Sequence, residues 1–270
     1  MVSNLLEADV ETVLDAAFAG GDEELLIVDP SAETIVSLIE AAVDRDDLPE
    51  LSMLADERTL KDVMDDFLVA SKAADLVADG ALSLRILGGD VDNALFVSPS
   101  QVVVLVSSGD EVAALSTDDS AFVDAVFETH SEAFENAEEF GLRTPAISRV
   151  RETLAAEIDE ETRDDFDAVL ASLNAARGDT GLDEVTVSLL VAAKNDVLLY
   201  DISKWGEDVG IASKATFSRT KTRLEDMGII DTEKVPIDVG RPRLRLKLGD
   251  ERLHGVDADE LAGVVDDLMA

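Results

Sequence analysis

VGIASKATFSRTKTRLEDMGII, residues 209–230, is the stretch whose reading decides the fold. Gly210-Ile211-Ala212 reads as a tight turn. Ser213 reads as the N-cap of a helix over 214–227, because a serine hydroxyl accepts from the free N–H groups of a first turn. Gly228 ends that helix as a C-cap. On a 3.6-residue period Phe217, Thr220, Leu224 and Met227 share the inward face, which turns Thr216, Ser218, Arg219, Thr222 and Arg223 outward. Upstream, 184–194 (EVTVSLLVAAK) and 198–209 (LLYDISKWGEDV) read as two more helices, the second capped by Asp201 or starting just before it. Downstream, strand-like 229–237 turns through Asp238-Val239-Gly240-Arg241-Pro242 and returns as RLRLKL, 243–248. Three helices and a two-stranded hairpin make a winged helix-turn-helix.

Such a helix fits the roughly 12 Å major groove, where arginine pairs bidentately with guanine and Ser or Thr bonds several base edges. In the hairpin, Leu244, Leu246 and Leu248 alternate with Arg243, Arg245 and Lys247, so period two sends leucines inward and cations to one open face. Arg241 sits at the tip, placed for a minor groove or a phosphate. Lys204, Ser213 and Lys214 complete the DNA-binding set. The competing reading of a basic hairpin is an edge strand protected by charge. Trp205, the only tryptophan, reads as core, although its neighbour Lys204 leaves indole-to-phosphate bonding open.

Charge separates this region from the rest. The 270 residues hold 22 Lys plus Arg against 60 Asp plus Glu, a formal charge of −38. Residues 1–180 are net −32, 181–250 net −1, and 213–247 alone net +4. A positive island in so acidic a chain points to a polyanion partner. The acids are spread along the chain, lysines number eight and aromatics are 4%, which fits a salt-loving cytoplasm where repulsion is screened. At molar salt phosphate contacts weaken, so affinity must lean on base contacts and on two half-sites bound by a homodimer.

The first half alternates strand and helix signals: LLIVD (25–29), a helix with Ile35, Leu38, Ile39, Ala42 and Val43, LSMLA (51–55), and a helix over 58–79 broken near Ser71. ALSLRIL (81–87), ALFVS (94–98) and QVVVLVSS (101–108) follow, with Gly88-Gly89-Asp90 and Ser98-Pro99-Ser100 read as hairpin turns. A long helix covers 119–140. The fold class expected is an α/β N-terminal domain with a mixed sheet plus a mainly helical C-terminal winged helix-turn-helix domain. The expected domains are 1–145 (sensor or assembly), 146–180 (a helical linker) and 181–270 (DNA binding). The stripes Ile147, Val150, Leu154, Ile158 and Phe166, Val169, Leu170, Leu173 either pack on their own domain or form a dimer seam.

Asp29 and Ser31 stand at a strand end before a helix, where an anion such as a phosphorylated metabolite effector can bind; simple capping by Ser31 is the competing reading. No cysteine exists, and His130 and His254 are the only histidines, so thiolate and multi-histidine metal sites are excluded. No metal, cofactor or catalytic constellation is expected. Acid pairs such as Asp65-Asp66, Asp118-Asp119 and Asp164-Asp165 read as solvated faces. The first twenty residues lack a basic n-region and no apolar run reaches about 18 residues, so the expectation is a cytoplasmic protein without membrane contact.

Gly210, Ser213, Thr216, Ser218, Arg219, Leu224, Glu225, Gly228 and Ile230 match the helix-turn-helix core of many prokaryotic regulators. Across its whole length the chain resembles the haloarchaeal TbsP family of transcriptional regulators. That resemblance implies a sequence-specific regulator of central carbon metabolism acting on double-stranded DNA. A protein-interaction adaptor and a small-molecule enzyme using the α/β domain are the alternatives; the basic outer face of 214–227 speaks against the adaptor.

Overall fold

The computed structural model describes residues 3–5, 21–43, 45, 47–89, 93–108, 111–176, 182–236 and 242–269. The chain divides into two units, Met1–Leu142 and Arg143–Ala270.

The N-terminal unit is built on a seven-stranded mixed sheet. Its strands are β1 (Ser3–Leu5), β2 (Glu24–Val28), β3 (Glu50–Ala55), β4 (Leu82–Ile86), β5 (Ala94–Val97), β6 (Val102–Ser108) and β7 (Glu111–Thr117), in the order β1-β7-β6-β5-β2-β3-β4. β2, β3 and β4 are parallel and all other pairings antiparallel. Parallel neighbours need crossovers, and helices α1 (Ala32–Val43), α2 (Glu57–Met64) and α3 (Phe67–Ala78) supply them. They bury Ile35, Leu38, Ile39, Leu60, Ala73 and Leu76 on one sheet face with Leu25, Ile27, Met53 and Leu84. On the other face α4 (Ser120–Asn136) sets Val123 on Leu26, Val97 and Val102.

Several sequence expectations are corrected. The helix over 58–79 breaks at Asp65-Asp66, where the Asp66 carboxylate accepts from Val69 N at 3.1 Å and starts α3. Ser71 lies buried inside α3 and donates to the Leu68 carbonyl. Gly88-Gly89 does not close a hairpin: β4 is an edge strand paired with β3, and β5 pairs with β2 and β6, so β4 and β5 are not neighbours; Asp90 lies outside the described residues. The Ser98-Pro99-Ser100 hairpin is present between β5 and β6. The helix over 119–140 ends at Asn136, where Arg85 Nη1 donates to the carbonyls of Phe134, Glu135 and Ala137 at 2.9–3.2 Å. Phe140 then packs into the core under α1–α3.

The C-terminal unit holds α5 (Ile147–Glu157), α6 (Glu160–Ala176), α7 (Glu184–Lys194), α8 (Leu199–Val209), α9 (Lys214–Asp226), the hairpin β8 (Ile230–Val235) and β9 (Arg243–Leu248), and α10 (Ala258–Met269). The apolar α7 is buried from Val185 to Ala193, as a helix apolar all round must be. Ile147, Val150, Leu154, Phe166, Val169 and Leu170 are buried within this unit, so α5 and α6 form part of its core and not a linker, and these six side chains are not free to make a seam. α10 completes the packing on α6 with Leu261 and Val265 buried.

Trp205 is 1% exposed and meets Phe166 edge to face at 6.4 Å. Its indole N–H donates to Thr153 Oγ1 at 3.0 Å, which places it in the core and settles it away from phosphate. Thr153→Val leaves that buried donor unpaired. The expected loss is about 1–3 kcal/mol, seen as a lower midpoint in urea unfolding followed by the fluorescence of this single tryptophan.

Candidate nucleic-acid interface

The helix-turn-helix rests on a glycine inside α8. A Cβ placed on Gly206 would lie 2.3 Å from Phe217 Cζ, so the fully buried Phe217 ring of α9 seats directly on the α8 backbone. The Gly206 carbonyl also accepts from the N–H groups of Gly210, Ile211 and Ala212 at 2.8–3.3 Å, which folds the turn back on the helix end. Gly210 takes φ +99°, a conformation open to glycine. Ser213 then caps α9: its Oγ accepts from Thr216 N at 3.2 Å and sits 3.1 Å from Thr216 Oγ1.

With Phe217, Thr220 and Leu224 buried, α9 turns Ser218, Arg219, Thr222 and Arg223 to solvent. Met227 caps the helix at 41% exposure and does not join the inward face. Arg219 donates to Thr216 Oγ1 at 3.3 Å and makes no ion pair among the described residues. Thr222 Oγ1 donates back to the Ser218 carbonyl, and Arg223 Nη2 reaches the buried Thr186 Oγ1 of α7 at 3.3 Å.

The hairpin pairs Ile230 with Leu248 through to Val235 with Arg243. Leu246 N donates to the Val197 carbonyl, and Leu198 bridges Arg245, so β9 is tied to the loop before α8. Leu246 is buried, whereas Leu244 and Leu248 are half-buried. The cations of β9 do not stand on an open face. Each meets a carboxylate: Arg243 reaches Asp201 at 3.5 Å and lies 4.6 Å over the Tyr200 ring, Arg245 reaches Glu233 at 3.9 Å, and Lys247 reaches Asp196 at 2.6 Å. Lys204 pairs with Asp208 and, at 3.9 Å, with Glu157. Lys214 Nζ lies 2.9 Å from Glu207, which also accepts from the Lys214 backbone N–H. These last two pairs pull Glu207 and Asp208 below their ordinary values and push Lys204 and Lys214 up, through the hydrogen bonds between them. Carboxylates held low stay ionised throughout neutral pH, so these pairs are intact there and open only as pH falls through the lowered values. Asp201 lies in the first turn of α8, whose cap, Leu198, offers no side-chain bond. Arg241 lies outside the described residues.

In the N-terminal unit, Ser31 Oγ accepts from Thr34 N at 3.2 Å and lies 2.9 Å from Thr34 Oγ1. Ser31 therefore does the capping that the sequence held open against ligand binding. Asp29, at φ +49°, donates its N–H to the Leu54 carbonyl at 2.8 Å. Neither residue belongs to the unit that holds α9.

Family models match the whole architecture. Residues 2–145 match the N-terminal region of TbsP-like transcriptional regulators, and 146–266 match their C-terminal helix-turn-helix domain. The chain belongs to the TbsP-like transcriptional regulators. The family's helix-turn-helix domain runs through α5 and α6, which agrees with their burial in the C-terminal unit. No curated protein matches the chain. Among solved structures, TrmBL2, described as an archaeal chromatin protein with a novel mode of DNA binding, is similar at 20% identity and TM-score 0.37. That match covers 52% of this chain and 54% of TrmBL2, so it spans about half of each. Nuc from Salmonella typhimurium, a phospholipase D family member, is similar at 9% identity and TM-score 0.37, over 52% of this chain and 96% of its own.

Sequence reasoning missed Gly206 and the carboxylates Asp196, Asp201, Glu207 and Glu233. Gly206 carries a signal: glycine inside a helix costs about 1 kcal/mol against alanine, so it asks for a packing reason. Gly206→Ala recovers that propensity but drives a methyl into Phe217. Overpacking of this kind costs about 1–3 kcal/mol and the Phe217 ring it meets is fully buried with no room to move aside, so a net loss of stability is expected in thermal unfolding. Gly206→Ala/Phe217→Leu is expected to regain part of it.

Proposed function

We propose that this TbsP-like regulator binds double-stranded DNA sequence-specifically, with α9 in the major groove. The observation that carries the reading is the exposed face of α9: Ser218, Arg219, Thr222 and Arg223 stand together on a capped, rigidly seated helix, and among the described residues Arg219 has no carboxylate to hold it. A helix of about 10–12 Å diameter fits a groove about 12 Å wide, and an unpaired arginine reads guanine without first giving up an ion pair. Thr216 and Ser213 fix the start of α9, so their hydroxyls are spent on the helix before DNA arrives. Lys204, Lys214, Arg243, Arg245 and Lys247 are assigned to phosphates, and the sequence reading adds Arg241 to them.

The regulator acts as a homodimer on paired half-sites, since two weak sites bound at once offset the loss of phosphate attraction at high salt. Its dispersed acidity, −38 over the chain, supports a halophilic archaeal cytoplasm. Among the described residues no helix is long and apolar enough to cross a membrane. The N-terminal α/β unit is assigned to sensing a phosphorylated metabolite or to assembly, with 181–270 delivering DNA contact. Control of sugar-metabolism genes is the reading that the resemblance to haloarchaeal relatives supports, and a regulator in place of an enzyme is what the family supports.

The test compares two variants on a motif selected from a random duplex library and on unrelated duplex. Arg219→Ala is expected to lose its preference for the motif, about 1–3 kcal/mol per lost bidentate contact, while unrelated duplex is bound nearly as before. Arg243→Ala is expected to weaken both about equally. Equal losses on both duplexes for Arg219→Ala would contradict the readout assignment.

A further inference from the structure

Five of the seven described cations assigned to DNA are already paired with carboxylates of the chain itself. Asp196 holds Lys247, Asp201 holds Arg243, Glu233 faces Arg245, Glu207 holds Lys214, and Asp208 with Glu157 holds Lys204. The two exceptions, Arg219 and Arg223, bond threonine hydroxyls and lie on the outer face of α9. The division follows the roles proposed above: the two cations assigned to bases meet no carboxylate among the described residues, and the five assigned to phosphates do.

Building on the DNA-binding reading above, we infer that DNA binding is an exchange of ion-pair partners in which phosphates displace these carboxylates and the released carboxylates take up monovalent cations from the medium. A cation that contacts a phosphate ordinarily releases a condensed counterion from DNA, so affinity falls with salt with a slope of about −0.9 per phosphate. Here each such contact also leaves a carboxylate that needs a counterion. Uptake on the protein offsets release from DNA. The site is thereby tuned to molar salt: at low salt the intramolecular pairs compete best against phosphate, and as salt rises they are screened along with the phosphate contacts. The opposing effects flatten the salt dependence of affinity. Surface pairs of this kind are individually weak, so phosphate can displace them without unfolding the wing.

Asp196 offers the cleanest probe. It stands in the loop after α7 at φ +59°, a conformation that asparagine adopts readily, so Asp196→Asn removes the charge without straining the backbone. The experiment measures binding of the full chain to a 40-base-pair mixed-sequence duplex from 0.1 to 2 M potassium chloride. The wild type is compared with Asp196→Asn, with Asp196→Asn/Asp201→Asn/Glu207→Gln, and with Asp124→Asn/Glu128→Gln/Glu132→Gln. The last set makes the same change of net charge on α4 of the N-terminal unit.

A shallow slope is expected for the wild type. The masking-site triple variant is expected to bind at least tenfold tighter at 0.2 M and to steepen the slope by about two to three. Asp196→Asn alone gives roughly one unit of that, and the α4 variant less than either. Trp205 fluorescence confirms that each variant is folded. Binding by all proteins with equal slopes would overturn the exchange and leave the DNA reading standing, as would an α4 variant that steepens the slope as much as the triple. Binding by none at any salt would overturn the DNA reading and the exchange with it.

Discussion

The contact between Phe217 and the bare backbone of Gly206 is the constraint on which the putting together of this site depends. A ring atom within 2.3 Å of where a Cβ would stand leaves α8 and α9 one way to pack. The same glycine's carbonyl gathers the N–H groups of the turn. Distance, turn and crossing are thus set by one residue, and the outward direction of Arg219 follows from the inward seat of Phe217 two positions earlier. A helix proposed to read bases must hold its side chains within fractions of an ångström. Trp205, on the same helix as Gly206, anchors that helix to α5 and α6 through Thr153 and Phe166, so the seat is itself held by a core.

The acids of this chain do more than cover its surface. Asp56, Asp66, Asp119, Asp159 and Asp183 each accept a backbone N–H at the start of a helix, where a negative charge also meets the favourable end of the helix dipole. Asp165 accepts from Lys194 Nζ and Asn195 Nδ2 and so locks α6 to the end of α7. A further set surrounds the cations of α8, α9 and β9. An acidity spread along the whole chain is used locally, for capping, for docking helices and for holding cations.

The winged helix was legible because its signals are local. A capping serine, a glycine just past the end of each of α8 and α9 and period-two leucines fix element and direction within a few residues of sequence. Long-range partners were not legible. Asp201 reaches a strand 42 residues later, and nothing in LLYDISKWGEDV marks it as the partner of Arg243. The acid pairs read as solvated faces because capping and bulk solvation look alike until the backbone is placed. β7 escaped notice because its two alanines dilute the strand signal, and β4 and β5 looked like a hairpin because proximity in sequence cannot report a sheet crossover. α10 carries apolar Leu261 and Val265 at helical spacing, but the acids around them thin its apolar stripe.

We propose that this TbsP-like regulator reads its DNA sites through α9. The most direct measurement is genome-wide occupancy of the tagged full-length protein in cells grown with and without sugar. The account predicts discrete promoter peaks that share one motif, with occupancy that changes with carbon source. An absence of enrichment under both conditions would contradict it.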